Sequence, residues 1–384
     1  MTEQALGGGV KPFAVERWFA RYEFTAPYNI AESCAAPLTV GELMQLHDEA
    51  SLDDLKAFRL SYTESHGALA LRREIAGLYD DTSPEQVFVT VGGQEALFLA
   101  FSSLVGPGDN IVVEFPAYQE MYSVAEAAGA EVRPWRLQLA GDGKGGRRFL
   151  PDIDELPHLV DSRTKLVVVN HPHNPTGFVP NRAFMERVVA AARAVGARVL
   201  SDEVYRGLEH VATDLPPGRA FGDDVIVVGS MSKAYGLPGL RIGWLVADAE
   251  VLERVALRRD YTTICANILA EEMAAVALRA RRAILARNRG IAARNLRLVR
   301  EFMARHQDAI EWIEPQGGVV AFPRLLASGL GSEDFCRELV EKKGVLLVPG
   351  SCFEVEGHFR LGFGYDTDKL EAGLERFDAF LAER

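Results

Sequence analysis

The chain has 384 residues, 48% of them hydrophobic and 25% charged, which is typical of a folded protein of two or three domains. Its 42 Lys and Arg residues against 54 Asp and Glu residues give a net charge of −12, which argues against a nucleic-acid surface or a polybasic membrane patch. Four widely spaced cysteines and the lack of a long apolar run exclude a disulfide scaffold and a membrane span, so we expect a reduced, cytoplasmic protein.

Short β-branched runs alternate with amphipathic stretches between residues 87 and 246. The predicted strands are Val87–Val91, Ile111–Glu114, Val132–Trp135, Leu166–Val169, Val199–Leu200, Val225–Val228 and Ile242–Val246. The predicted helices between them are Gln94–Leu104, Gln119–Ala128 and Arg182–Val195. Because the strands are almost continuously apolar, the pattern predicts an α/β three-layer sandwich with a mostly parallel, seven-stranded sheet.

Beyond Asp248 the pattern changes to long helical stretches followed by short strands and helices. The predicted elements are helices Glu250–Arg259, Ala270–Arg305, Ser332–Lys343 and Asp368–Glu383, and strands near Val319–Phe322, Val345–Val348 and Phe359–Phe363. They indicate a smaller α+β domain, which the N-terminal residues join because they fit no βαβ unit. We therefore predict a large domain of residues 46–260 and a small domain of residues 1–45 together with 261–384.

Polar motifs follow several predicted strands, at the sheet edge where open α/β sheets bind ligands. They are Gly92-Gly-Gln-Glu95, Asn174-Pro-Thr-Gly177, Asp202-Glu-Val-Tyr205, Ser230-Met-Ser-Lys233 and the nearby Arg241. Singly, each has an ordinary explanation as a turn, a helix cap, an exposed lysine or an ion pair. Together they suit a molecule with a phosphate, an aldehyde, a phenolic oxygen and a basic ring nitrogen, which describes pyridoxal 5′-phosphate.

With these motifs, residues 60–365 resemble the class I/II aminotransferases, which are fold type I pyridoxal-phosphate enzymes. The resemblance implies a ping-pong reaction in which an amino group moves between an L-amino acid and a 2-oxo acid through an aldimine at Lys233. It also implies that Asp202 keeps the ring nitrogen protonated, and that Asn174 and Tyr205 bind the ring oxygen.

The resemblance assigns further residues to the cofactor, the substrate and a second subunit. The phosphate contacts that it implies are the side chains of Ser230 and Arg241 and the backbone N–H groups of Gly93 and Gln94. Tyr118 would stack on the ring, Arg360 would bind the substrate carboxylate, and Asn174 would also contact the substrate. Tyr62 would reach the phosphate in a partner subunit, which implies a homodimer with shared active sites.

One segment and one loop leave open whether the reaction is transamination or a related reaction of the same cofactor. Residues 29–36 lack the glycine that the family commonly places there, and His171-Pro-His173 with the run from Ser232 to Leu240 resembles capreomycidine synthase-like enzymes. That resemblance implies an alternative, β-elimination with cyclisation of a hydroxylated arginine derivative. Arg259 is a candidate partner for a side-chain carboxylate, and Glu32 for a cationic side chain.

Other classes of protein fit less well. The acidic chain shows no helix-turn-helix extension of the kind that precedes aminotransferase-like domains in transcription regulators. No G-x-G-x-x-G motif follows the first strand, and the eight histidines form no H-x-x-H pair, so a nicotinamide enzyme and a metal hydrolase are both disfavoured. We expect no bound metal.

Overall fold

A computed structural model of the protein describes residues 9–46, 59–141, 147–326 and 329–384. The strands are β1 (Tyr28–Asn29), β2 (Val87–Thr90), β3 (Asn110–Phe115), β4 (Glu131–Gly141), β5 (Arg147–Pro151), β6 (Thr164–Asn170), β7 (Arg198–Asp202), β8 (Val225–Ser230), β9 (Gly243–Val246), β10 (Ile310–Glu311), β11 (Val320–Ala321), β12 (Arg324–Leu325), β13 (Val345–Leu346), β14 (Val348–Pro349) and β15 (Phe359–Gly362).

The helices surround the central sheet and build the C-terminal part of the chain. They are α1 (Ala14–Tyr22), α2 (Val40–Gln45), α3 (Leu69–Ala76), α4 (Gly92–Leu104), α5 (Glu120–Ala127), α6 (Leu156–Leu159), α7 (Arg182–Ala194), α8 (Ala249–Arg259), α9 (Ile268–Arg279), α10 (Arg281–Arg305), α11 (Ser332–Lys343) and α12 (Thr367–Ala382). The predicted helix Ala270–Arg305 is wrong in one respect, because it is interrupted at Ala280 and forms α9 and α10. No described helix is long and apolar enough to cross a membrane.

The central sheet has eight strands in the order β2-β9-β8-β7-β6-β3-β4-β5. The five strands β8, β7, β6, β3 and β4 are parallel to one another, whereas β9 and β5 run antiparallel to the strands that they pair with. All seven predicted strands are confirmed, but the count of seven is wrong because β5 adds an edge strand. Its sequence, Arg-Arg-Phe-Leu-Pro, lacks the apolar run of a central strand because it lies at the exposed edge of the sheet.

Both faces of the sheet are buried, as the three-layer prediction requires. Successive residues of one strand belong to different apolar clusters, so that Val167 packs on one face and Val168 on the other. Helices α3, α7 and α9 contribute to the first cluster, and α4, α5 and α8 to the second. This arrangement is the predicted α/β three-layer fold, with the carboxyl ends of its parallel strands at one edge of the sheet.

A third apolar cluster joins the two ends of the chain. It contains Val15 and Trp18 of α1 together with Phe335, Phe359 and Phe377 from the C-terminal elements. Strand β1 also pairs in parallel with β13. The division into residues 46–260 and 1–45 with 261–384 stays a proposal, since α9 packs in the sheet's own cluster and residues 1–8 lie outside the described ranges.

Candidate active site

Strands β6, β7 and β8 are parallel and end beside one another at a single cavity. Asn170 at the end of β6 pairs with Asp202 at the end of β7, and β8 lies alongside β7. The cavity has a volume of about 750 Å³. The residues predicted from the sequence that line it are Glu32, Gly93, Gln94, Tyr118, Asn174, Asp202, Tyr205, Ser230, Lys233, Arg241 and Arg360.

Lys233 lies in the turn after β8 with its side chain half-buried. Its Nζ donates a hydrogen bond of 2.8 Å to Ser33 Oγ and lies 3.7 Å from Cys34 Sγ. Burial alone would lower the pKa of Lys233, but the neighbouring Cys34, Tyr205 and Glu32 outweigh it and hold the pKa above its ordinary value. Lys233 is therefore an amine with acceptors on one side and the open cavity on the other.

Asp202 is a buried carboxyl group at the end of β7, with 3% of its surface exposed. The backbone N–H of Val204 donates a hydrogen bond of 3.0 Å to Asp202 Oδ1. Burial raises the pKa of Asp202 to about 7, against the opposing effects of the Val204 hydrogen bond and the Lys233 charge. A cation placed beside this carboxylate would favour its ionised form.

Tyr205 follows three residues later and presents a buried hydroxyl group. The residue is 2% exposed, and its hydroxyl has no hydrogen-bond partner within the described ranges. Buried polar groups are rarely left without a partner in folded proteins. The hydroxyl therefore marks a place where a bound molecule would supply one.

Arg360 in β15 and Asn174 in the turn after β6 are in contact in the wall of the cavity. Arg360 Nη1 donates to Asn174 Oδ1 at 3.3 Å, and Nη2 donates to the Ala31 carbonyl at 3.1 Å. The guanidinium is almost fully buried, its Nε has no partner, and no acidic side chain of the described residues pairs with it. A buried, uncompensated guanidinium is suited to a carboxylate ligand.

Serines, a glycine and an arginine gather at the N-terminus of α4. Ser230 Oγ lies 3.0 Å from Ser232 Oγ, and Arg241 Nη1 donates to Ser232 Oγ at 3.4 Å. Gly92 has a φ of 77°, and a Cβ there would lie 2.4 Å from Arg241 Nη2, so a side chain would displace the guanidinium. A helix N-terminus with an arginine and hydroxyl groups is suited to a phosphate.

Tyr118 and three glutamates, two of which lie in α1 or directly after it, line another part of the cavity. Tyr118 Oη donates to Glu16 Oε1 at 2.8 Å and lies 3.2 Å from Gln94 Oε1. Glu16, Glu23 and Glu32 all line the cavity, and we call these three the acidic wall. Burial, followed by repulsion from Glu32 and Glu16, raises the pKa of Glu23.

Of the three glutamates in the acidic wall, only Glu32 was predicted from the sequence. The available signal was the seven-residue spacing of Glu16 and Glu23, which places both on the same side of a helix and its C-terminal turn. The contact of Ser33 with Lys233 was not predicted either, because Ser33 follows no predicted strand.

Two predicted residues lie outside the cavity. Tyr62 is 83% exposed and does not line it, so its contact with a partner subunit stays a prediction. Arg259, a candidate for a substrate carboxylate, is contradicted: it is fully buried and donates to the carbonyls of Ser65 and Val89 and to Thr263 Oγ1. Its long side chain joins the loop before α3 and strand β2 to the loop after α8, a structural role that its charge alone does not distinguish from ligand binding.

The residues around the cavity fit pyridoxal 5′-phosphate. Arg241, Ser230 and the N-terminus of α4 could hold its phosphate, and Asp202 could pair with its ring nitrogen. The unpartnered Tyr205 hydroxyl could donate to its ring oxygen, and Lys233 is an amine that can condense with its aldehyde.

Comparisons with known proteins agree with this fit. The family model described as aminotransferase class I and II matches residues 44–377. Capreomycidine synthase of Streptomyces vinaceus is 37% identical over 94% of this chain and 91% of its own. A PLP-dependent aminotransferase structure from Streptococcus suis 89-1591 has a TM-score of 0.90 at 36% identity, and that of the PLP-dependent cyclase OrfR has 0.89 at 32%; each match covers 97% of both chains.

Proposed function

The chain belongs to the class I and II aminotransferase family and uses pyridoxal 5′-phosphate, and on this premise we propose that it transfers an amino group from an L-amino acid with a cationic side chain to a 2-oxo acid. The reaction would be ping-pong, with the donor leaving as an oxo acid before the acceptor binds. The observation that carries the proposal is that Arg360, Lys233 and the acidic wall all line one cavity.

Each of several side chains around the cavity has its own role in this reaction. The bound cofactor supplies an electron sink for the bonds at the substrate Cα. Lys233 binds the cofactor and, once the substrate displaces it, moves a proton at the substrate Cα. Asp202 holds the proton on the ring nitrogen, and Asn174 and Tyr205 orient the ring through its oxygen.

Charge counting supports a cationic substrate side chain. Among the described lining residues, Asp202, Lys233 and Arg241 are assigned to the cofactor, and Arg360 to the substrate carboxylate. The charged residues that remain are the three glutamates of the acidic wall and Arg17, which leave a net negative charge. A guanidinium or ammonium group at the end of the substrate would be attracted to this wall.

A donor screen tests the proposal. L-Arginine, L-lysine, L-norleucine and L-glutamate would be supplied to the holoenzyme with pyruvate or 2-oxoglutarate as acceptor. We expect the two cationic donors to react fastest, and Glu32→Gln to lower kcat/KM for them by roughly 5- to 20-fold while leaving norleucine nearly unchanged. Glu375→Gln, an exposed substitution on α12, is the matched control. Faster reaction with glutamate or norleucine would refute the cationic preference.

A second candidate reaction is β-elimination with cyclisation. It is favoured by the 37% identity to capreomycidine synthase and by the likeness to the PLP-dependent cyclase OrfR. The two reactions share the cofactor and the acidic wall but give different products. A cyclised amino acid formed without consumption of a 2-oxo acid would support this second reaction.

We also propose that the enzyme is a homodimer in which Tyr62 of each subunit contacts the phosphate bound by the other. The exposed position of Tyr62 supports this, since a tyrosine that is 83% exposed in one chain is available to a second. Tyr261, in the loop held by the hydrogen bond from Arg259 to Thr263, is a second exposed tyrosine, at 90%. Aromatic side chains are enriched in the buried parts of protein interfaces.

A further inference from the structure

Residues 30–36 form a segment beside Lys233, and Glu32, Ser33 and Cys34 of this segment line the cavity. Ser33 is 8% exposed, and its Oγ accepts the hydrogen bond of 2.8 Å from Lys233 Nζ. The thiol of Cys34 lies farther away, at 3.7 Å from the same nitrogen. Ser33 therefore makes the shorter of the two contacts to the amine that carries the proposed chemistry.

The backbone of this segment is fixed from both sides. Ala35 N donates to the Lys233 carbonyl at 3.1 Å, and Ala36 N donates to the Gly364 carbonyl at 2.9 Å. Arg287 Nη1 donates to the Ala36 carbonyl at 2.7 Å. These bonds tie the segment to the turn that carries Lys233, to the residues after β15 and to α10.

Two glycines, Gly362 and Gly236, allow the backbone of this segment to pack closely against the neighbouring backbone. A Cβ on Gly362 would lie 1.9 Å from the Glu32 carbonyl oxygen, and one on Gly236 would lie 2.8 Å from that of Ala36. Neither position has room for a larger residue without moving the segment. The direction of the Ser33 side chain is therefore set by the packing of the surrounding backbone, independently of the bond to Lys233.

We propose that Ser33 is a positioning residue for Lys233, which it holds in the orientation from which the free amine takes the substrate Cα proton. The inference rests on the proposed role of Lys233. In that step the Cα–H bond breaks, an N–H bond forms on Nζ, and the electron pair stays with the substrate–cofactor adduct. A neutral hydroxyl can fix the amine without holding it permanently as an ammonium ion, as a carboxylate would.

The first test uses the apoenzyme and needs no turnover. Acetylation of Lys233 by acetic anhydride would be followed against pH by peptide mass spectrometry in the wild type, Ser33→Ala and Ser33→Thr. Because the hydroxyl accepts a hydrogen bond from the ammonium form, we expect Ser33→Ala to lower the midpoint by about one pH unit and Ser33→Thr to restore it. An unchanged midpoint in Ser33→Ala would overturn the proposal.

The second test follows the substrate Cα proton in the holoenzyme. Exchange of this proton with deuterium, measured by NMR without a 2-oxo acid, should slow about tenfold in Ser33→Ala while KM stays nearly constant. Glu375→Gln, an exposed substitution on α12 far from Lys233 in the chain, is the matched control, and we expect less than about a threefold change in it. Equal slowing in both variants would contradict a specific role for Ser33. Absence of exchange in the wild type would refute the proposed function, and the acetylation test would still decide the role of Ser33.

Discussion

Arg360 Nη1 donates a hydrogen bond of 3.3 Å to the side-chain oxygen of Asn174. The bond joins strand β15, near the C-terminus, to the turn that follows β6 of the central sheet. A second bond, from Arg360 Nη2 to the Ala31 carbonyl, holds the guanidinium from the N-terminal segment as well. The substrate carboxylate would complete the set by supplying the missing negative charge.

Replacement of this guanidinium should weaken substrate binding more than it slows the reaction. Arg360→Lys removes the planar pair of donors, and we expect KM for the amino acid to rise roughly 100-fold, with a smaller fall in kcat. Steady-state kinetics at saturating 2-oxo acid would measure both. The visible absorbance of the holoenzyme should be unchanged and serves as the control. A KM within about twofold of the wild type would show that another group binds the carboxylate.

Asp202→Asn should retain the cofactor but lose most of the activity. The amide can still accept the hydrogen bond from Val204, but it cannot hold a proton on the ring nitrogen as a carboxylate does. We expect kcat to fall by roughly 10³-fold or more, with the holoenzyme spectrum still visible. Nearly normal turnover would mean that a different group protonates the ring.

The same substitution predicts a pH-dependent change in the stability of the apoenzyme. The pKa of Asp202 is raised from 3.8 to about 7, so the folded state binds an extra proton between these values. The stability that this proton contributes is present below about pH 4 and is lost as pH rises through 7, on the order of 2–4 kcal/mol. Apo Asp202→Asn should therefore melt above the wild type at pH 8, with a smaller or reversed difference at pH 4 in calorimetry. A difference independent of pH would contradict this assignment.

Tyr205→Phe should lower the affinity for the cofactor without lowering the stability of the apoenzyme. The hydroxyl makes no hydrogen bond within the described residues, so its removal from the apoenzyme should leave the melting temperature unchanged or slightly higher. Cofactor affinity should fall roughly tenfold because the ring oxygen loses a donor. Calorimetry of the apoenzyme and equilibrium titration with the cofactor measure the two effects. A large loss of apoenzyme stability together with unchanged affinity would show a purely structural hydroxyl.

Subunit mixing tests the shared active site. Lys233→Ala and Tyr62→Ala should each be nearly inactive alone. If Tyr62 serves the partner subunit, a mixed dimer has one site with both defects and one intact site, so an equimolar mixture should regain about a quarter of the wild-type activity. The mixture would be assayed after unfolding and refolding together. No recovery, with mixed dimers shown by mass spectrometry, would place Tyr62 and Lys233 in the same subunit's site.

Some residues of the candidate site could be predicted from the sequence, and others could not. Asn174, Asp202 and Lys233 could be predicted because each follows a buried strand, and parallel strand ends must converge at one edge. Ser33 could not, because its contact with Lys233 joins residues 200 positions apart through a segment without regular structure. The prediction for Arg259 was wrong for a related reason, because its charge is visible in the sequence but its partners, two backbone carbonyls and the Thr263 hydroxyl, are not.

The most direct measurement is a single half-reaction. Holoenzyme would be mixed with excess L-arginine in the absence of any 2-oxo acid, and the products would be quantified by mass spectrometry. Transamination predicts about one equivalent of the arginine-derived 2-oxo acid per subunit, loss of the visible absorbance, and its return when pyruvate is added. Persistent absorbance with no 2-oxo acid released from arginine or from any other amino acid in the screen would contradict the proposed reaction.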